Sequence, residues 1–301
     1  MMKKRVKQGS AILLAFAVAL SVFVLPGVWA ASAIDVDRKD CSVEFSVGGD
    51  YEELNTNDLS VKLYRVASVD KAGAYTPVSD FSGLDLSALS RENKDSAAKW
   101  LERAQAAEDM VTANTAVAAD PTIKNGKATV KNLETGLYLV SVEQLVTPNY
   151  VYTFTPYLIS LPNNYYYQTG DDEWVYELSE VVLKPEQTPR YGSLVIDKTL
   201  RDFNATSGAQ ATFVFQIDIT TLEGKTESRV EAMTMGAGEE SQQLTIDQIP
   251  AGASVRVRET YSGASYTQVS DDPDDVTIFA DEAVRVLFEN AHDGRPNGGY
   301  G

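Results

Sequence analysis

Three residues far apart in the chain carry groups that can react with one another: Lys198, Glu259 and Asn290. An amine, a carboxyl and a carboxamide held together away from water can form a new amide. The amine nitrogen attacks the carboxamide carbon, ammonia leaves, and the carboxyl polarises the amide carbonyl and carries the protons. Burial favours this chemistry because it disfavours charge. It moves a lysine towards its nucleophilic neutral amine and a carboxyl towards its acid form. The product is an isopeptide cross-link, made once per molecule, so the chain is not an enzyme in the turnover sense.

Each of the three is the polar member of an apolar row. In SVRVRETY, Ser254–Tyr261, strand alternation sets Val255, Val257 and Glu259 on one face and Ser254, Arg256, Arg258 and Thr260 on the other. The arginines belong in water, so the valine face is the inner one. Glu259 then sits at the edge of a core, where an unpaired carboxylate is costly. In GSLVIDKTL, Gly192–Leu200, the row is Leu194, Ile196 and Lys198; in AVRVLFENAH, Ala283–His292, it is Val284, Val286, Phe288 and Asn290. A polar strand end explains any one of these by itself. The conjunction of three points to contact.

A lysine on the first strand, a glutamate on a middle strand and an asparagine on the last resembles the CnaB-type domain of Gram-positive surface proteins and pilins. The resemblance runs from Gly192 to about His292. It implies an Ig-like β-sandwich, Lys198 and Asn290 as the cross-linked pair, Glu259 as promoter, and no cofactor.

The strands that position these residues have a counterpart upstream. VKNLETGLYLVSVE, Val130–Glu143, aligns without a gap on IDQIPAGASVRVRE, Ile246–Glu259. Gly136 meets Gly252, Leu139 meets Val255 and Glu143 meets Glu259. Two copies of one β-sandwich plan are expected. The chemistry is in the second copy alone, because laying CSVEFSV on GSLVIDK puts Val47 opposite Lys198, and no asparagine lies between Glu173 and Glu186. Glu143 is then structural or solvated, and Lys39, in phase with Cys41, is a remote alternative nucleophile. Within the first copy, DSAAKWLERAQAAEDMV places Ala97, Trp100, Leu101, Ala104 and Ala107/Glu108 on one helical face, with Asp95 or Ser96 as cap. That predicts a helix near 95–111 inserted in a β pattern and packed on a sheet edge.

The first half also resembles the N-terminal domain of Gram-positive pilins, through TPYLISLPNN followed by EWVYELSEVVLKP. There a tryptophan-led strand ends in a V-Y-P-K-like motif whose lysine a sortase joins to the next subunit. Here Trp174 leads and the end reads Val181-Val182-Leu183-Lys184-Pro185, with lysine before proline. The resemblance makes Lys184 the candidate sortase acceptor and other pilus subunits the partners. It also leads one to expect an LPXTG-like sorting motif, an apolar span and a basic tail. The sequence ends HDGRPNGGYG instead, which fits a truncated frame or an accessory or terminal subunit.

Met1–Ala33 has the parts of a secretory leader: basic MMKKRVK, apolar AILLAFAVALSVFVL, and small residues near Ala30 or Ala33 for cleavage. The apolar run is short for a span, so cleavage is expected in preference to a membrane anchor. The expected organisation is leader 1–33, a pilin-like β-sandwich over 34–186 with the helix, a proline-bounded linker 187–191, and the CnaB-like domain with a polar tail over 192–301. The fold class is all-β, with two tandem Ig-like sandwiches, secreted or held at the cell surface.

Composition narrows the function classes. A net charge of −17 over 301 residues argues against nucleic acid and against anionic lipid surfaces. One cysteine, Cys41, excludes an internal disulfide and reads as a small buried hydrophobe. With one histidine, His292 in the polar tail, there is no His- or Cys-rich zinc site and no Cys–His pair. SDDPDD, Ser270–Asp275, lacks EF-hand spacing and reads as a solvated turn, not a calcium loop. An exported hydrolase is disfavoured for want of a catalytic constellation. The competing class is an accessory or tip adhesin for a host protein or glycan, with Tyr165, Tyr166 and Tyr167 or the helix as the candidate surface.

Overall fold

The computed structural model describes residues 33–87, 89, 96–164, 173–202 and 210–294. The leader expected at Met1–Ala33, apart from Ala33, and the tyrosines Tyr165–Tyr167 lie outside the described residues. The protein is all-β with one α-helix, Ser96–Met110, among the described residues. Its chain divides into two compact units. One takes the described residues up to Glu143 and Thr153–Glu186; the other takes Gln144–Tyr152 and the residues from Gln187 onward. The stretch 187–191, expected as a linker, is mostly strand: Pro185–Pro189 is one, and Tyr191 opens the next, Tyr191–Leu200. Proline's fixed φ is compatible with extended backbone at a strand end.

The first unit has a three-stranded sheet in the order Glu177–Val182, Cys41–Ser46, Lys127–Leu133. A larger sheet runs Tyr75–Pro77, Leu59–Val69, Gly136–Val142, Tyr157–Leu161, with Thr122–Ile123 paired to Leu59–Ser60. CSVEFSV alternates, and Cys41, Val43, Phe45 and Val47 are buried. GLYLVSV and YLISL are apolar nearly throughout because this sheet is covered on both faces. Leu137, Leu139 and Leu158 pack with Trp100, Ala104 and Ala107 of the helix. The helix therefore packs over the face of the sheet at its edge, against the edge strand Tyr157–Leu161 and its neighbour Gly136–Val142. Leu101, expected on its packed side, is 48% exposed. It follows Trp100 by one position and so falls at the margin of the stripe that Trp100, Ala104 and Ala107 hold.

The internal repeat is visible in the backbone. Asn132 and Gln248 occupy the same place in the two copies, and both have φ of 60°. Each sits at a register shift, in the pairing with Cys41–Ser46 and with Tyr191–Leu200 respectively. A β-bulge is thus kept in both copies, bending the strand before the turn. Gly136 and Gly252 also both have positive φ, which glycine adopts at low cost. In each copy the first strand runs parallel to the last: Cys41–Ser46 beside Glu177–Val182, and Tyr191–Leu200 beside Ala283–His292.

From Tyr191 onward the described residues of the second unit form a sandwich of two four-stranded sheets. One runs Ser241–Pro250, Tyr191–Leu200, Ala283–His292, Tyr266–Gln268; the other runs Thr226–Met235, Ala211–Thr220, Ser254–Tyr261, Val276–Thr277. Alternation sends one row from each sheet inward. Leu194, Ile196, Val286 and Phe288 meet Phe213, Phe215, Ile217, Val255 and Val257 in a single core. Arg256 and Arg258 point out, where they pair with Asp275 and Asp218.

Candidate functional site

The same alternation carries three polar side chains into that core. The lysine strand, Tyr191–Leu200, and the asparagine strand, Ala283–His292, are parallel neighbours, with Lys198 opposite Phe288 and Leu200 opposite Asn290. Lys198 and Asn290 therefore share a face on a diagonal that long side chains can span. The glutamate strand, Ser254–Tyr261, belongs to the other sheet, so Glu259 reaches them from across the sandwich. The side chains of Lys198 and Glu259 and the whole of Asn290 are 0% exposed.

The three form a closed set of hydrogen bonds. Lys198 Nζ donates to Glu259 Oε1 at 2.7 Å and to Asn290 Oδ1. Asn290 Nδ2 donates to Glu259 Oε2 at 2.9 Å and to the backbone carbonyl of Ser262 at 3.2 Å. Burial pushes Lys198 below the ordinary lysine value, against the opposing pull of the hydrogen bond and charge of Glu259. Aromatic rings close the rest of the space. Nζ lies 4.6 Å from the centroid of Phe213 and 6.0 Å from that of Phe215, which packs on Phe288 at 5.1 Å.

Glu259 thus touches Lys198 Nζ with one oxygen and the amide nitrogen of Asn290 with the other. This differs from the simplest sequence expectation, in which the carboxyl polarises the amide carbonyl. The reason is donor arithmetic. Lysine can only donate, so it takes Oδ1, and the two N–H groups of Nδ2 are left for two acceptors. Phe213 and Phe215 lie on the buried row of Ala211–Thr220 and have no chemical signature in sequence. The Ser262 contact is a backbone carbonyl and left no side-chain signal.

The remaining candidates fall elsewhere. Lys184 follows the strand Glu177–Val182, half-buried, with Nζ 5.4 Å from the centroid of Tyr157, and burial lowers its pKa. Glu143, the counterpart of Glu259, is exposed and paired with Lys62 at 2.7 Å. Val47 is buried at the place of Lys198. Lys39 is exposed on Glu134. Cys41 is fully buried, and burial pushes its thiol up to about 11. His292 is the last residue of a strand, with its ring edge-on to Tyr266 at 5.5 Å, and so is not in a free tail. In the acidic loop, Asp275 pairs with Arg256 and Asp272 accepts from Gln268. Among the described residues no group of three or more His, Cys, Asp or Glu could hold a metal.

Residues 194–293 match the family model described as a domain of unknown function (DUF5979). No curated protein matches the chain. The chain is similar to solved Gram-positive pilins. GBS52, the minor pilin of Streptococcus agalactiae, is 15% identical, with a TM-score of 0.27 and 87% of this chain and 100% of that one covered. SpaA, the major pilin of Corynebacterium diphtheriae, is 12% identical, with a TM-score of 0.29 and coverage of 84% and 100%. The major pilin of Streptococcus pyogenes is 12% identical, with a TM-score of 0.29 and coverage of 85% and 99%.

Proposed function

We propose that Lys198 and Asn290 join in an intramolecular isopeptide bond promoted by Glu259, and that the chain is a structural subunit of a Gram-positive cell-surface fibre. The observation that carries the reading is the buried, mutually hydrogen-bonded lysine, glutamate and asparagine. Such a cluster is expensive as a purely structural feature, and its geometry fits a reaction. Glu259 Oε1 takes a proton from Lys198, and the neutral Nζ attacks Cγ of Asn290. The Cγ–Nδ2 bond breaks, with Glu259 delivering the proton that turns Nδ2 into ammonia. The new amide keeps one N–H. The proton left over stays on Glu259 or leaves with ammonia as ammonium.

A cross-link of this kind suits an exported rod that has no disulfide. The leader read at Met1–Ala33 supports export. Lys184 is the proposed acceptor through which a sortase joins subunits. The test is the intact mass of the mature chain beside its Lys198→Ala and Glu259→Ala variants. A wild type lighter than its sequence by one ammonia, with neither variant showing the deficit, is the expected result. A wild type of full sequence mass refutes the cross-link.

A further inference from the structure

We propose that the turn after the glutamate strand sets which amide chemistry the site accepts: the Ser262 carbonyl, held by Gly263, selects asparagine over aspartate at position 290. This rests on the isopeptide reading above and adds a positioning group to it.

The amide of Asn290 has one acceptor and two donor hydrogens, and every one has a counterpart. Oδ1 receives Lys198 Nζ, and Nδ2 gives one hydrogen to Glu259 Oε2 and the other to Ser262 O. Turning the amide over would set Oδ1 against two acceptors and Nδ2 against a donor. The leaving nitrogen is therefore fixed on the side of Glu259. An aspartate would put oxygen against both the Ser262 carbonyl and Glu259, leaving at least one buried acceptor facing another.

The carbonyl is placed by its neighbour. Gly263 has φ of +87°, and its carbonyl accepts from Tyr266 N at 3.4 Å. A Cβ there would come within 3.2 Å of Tyr266 Cδ2 and 3.5 Å of Phe213 Cε1. Phe213 is the ring beside Lys198 Nζ. An alanine at 263 is thus strained in backbone and crowded against Tyr266, while it meets Phe213 at ordinary contact distance. Relief of that strain is expected to shift the Ser262 carbonyl, and the substitution alters none of Lys198, Glu259 and Asn290 themselves.

The experiment reads the ratio of linked to unlinked full-length chain by intact mass, with folding followed by circular dichroism. Linked Asn290→Asp loses one water where wild type loses one ammonia. Asn290→Asp is expected to link roughly tenfold less than wild type, or worse. Gly263→Ala is expected to lower linkage in the asparagine chain. In combination with Asn290→Asp it is expected to shrink the gap between the asparagine and aspartate chains. A turn with only a structural role would lower both chains equally and leave that gap unchanged. Folded Asn290→Asp linking as fully as wild type overturns the proposal and leaves the isopeptide reading intact. If Asn290→Asp does not fold, Gly263→Ala decides alone, and full linkage in that folded variant overturns it. A wild type without the ammonia deficit overturns both.

Discussion

If the proposed cross-link forms, replacing Asn290 by alanine removes its electrophile and keeps both members of the Lys198–Glu259 pair. Lys198 and Asn290 are 92 positions apart. Cross-linking a loop of that length removes denatured-state entropy worth about 4.6 kcal/mol in the chain-entropy model. In the linked wild type Nδ2 has already left as ammonia, so its hydrogen bonds to Ser262 O and Glu259 Oε2 do not enter the comparison, and loop closure carries the difference. For a unit of roughly a hundred residues, each kcal/mol moves the midpoint by about 4–8 °C, so the Tm of the second unit should fall by about 20 °C or more. The assay is thermal and urea unfolding of both chains, each with its mass known. Urea supplies an independent mark. The cross-linked denatured chain is a closed loop that exposes less surface, so the wild-type slope m should be the smaller one. A wild type that carries the ammonia deficit yet unfolds within a few degrees of Asn290→Ala, with the same m, would refute the loop-closure argument.

Other outcomes follow from the contrast between the two units. Glu143→Ala should leave the Tm of the first unit unchanged within error, because its pair with Lys62 is exposed and screened; a large fall would mean that Glu143 has a hidden structural partner. Val47→Lys should destabilise the first unit by about 3 kcal/mol or more in urea unfolding, since it buries an ammonium where Glu143 is turned to solvent. Cys41 should resist alkylation in the folded chain at mildly alkaline pH and react only on unfolding, because burial both covers the thiol and keeps it protonated up to about 11. In Asn290→Ala, the depressed pKa of Lys198 means that the unfolded chain binds more protons between that folded value and the ordinary 10.5. Stability of the second unit should therefore rise as pH is raised through that window, and a pH series of urea midpoints checks the sign.

Much of this architecture was legible in residue order because alternation is a property of a single strand. SVRVRETY determined that Glu259 faces inward, whatever it meets there. The GSLVIDKTL and AVRVLFENAH rows did the same for Lys198 and Asn290. The repeat of Val130–Glu143 in Ile246–Glu259 was equally local, and it carried the shared bulge at Asn132 and Gln248 without announcing it. Nonlocal pairing decided the rest. That Tyr191–Leu200 lies parallel to Ala283–His292, with Lys198 opposite Phe288, comes from how strands at the two ends of the second unit's sequence are brought together in one sheet. That Glu259 approaches from the opposing sheet, and that it meets Nδ2 and not Oδ1, depends on which donors and acceptors the packed core brings to one point. Leu101 shows the same limit on a helix: periodicity gives a stripe, but only the sheet it packs against sets the stripe's width. Side-chain parity is inherited from backbone geometry and can be read from order alone; contact, hydrogen-bond direction and burial belong to the assembled sandwich, where residues distant in the chain exclude water together.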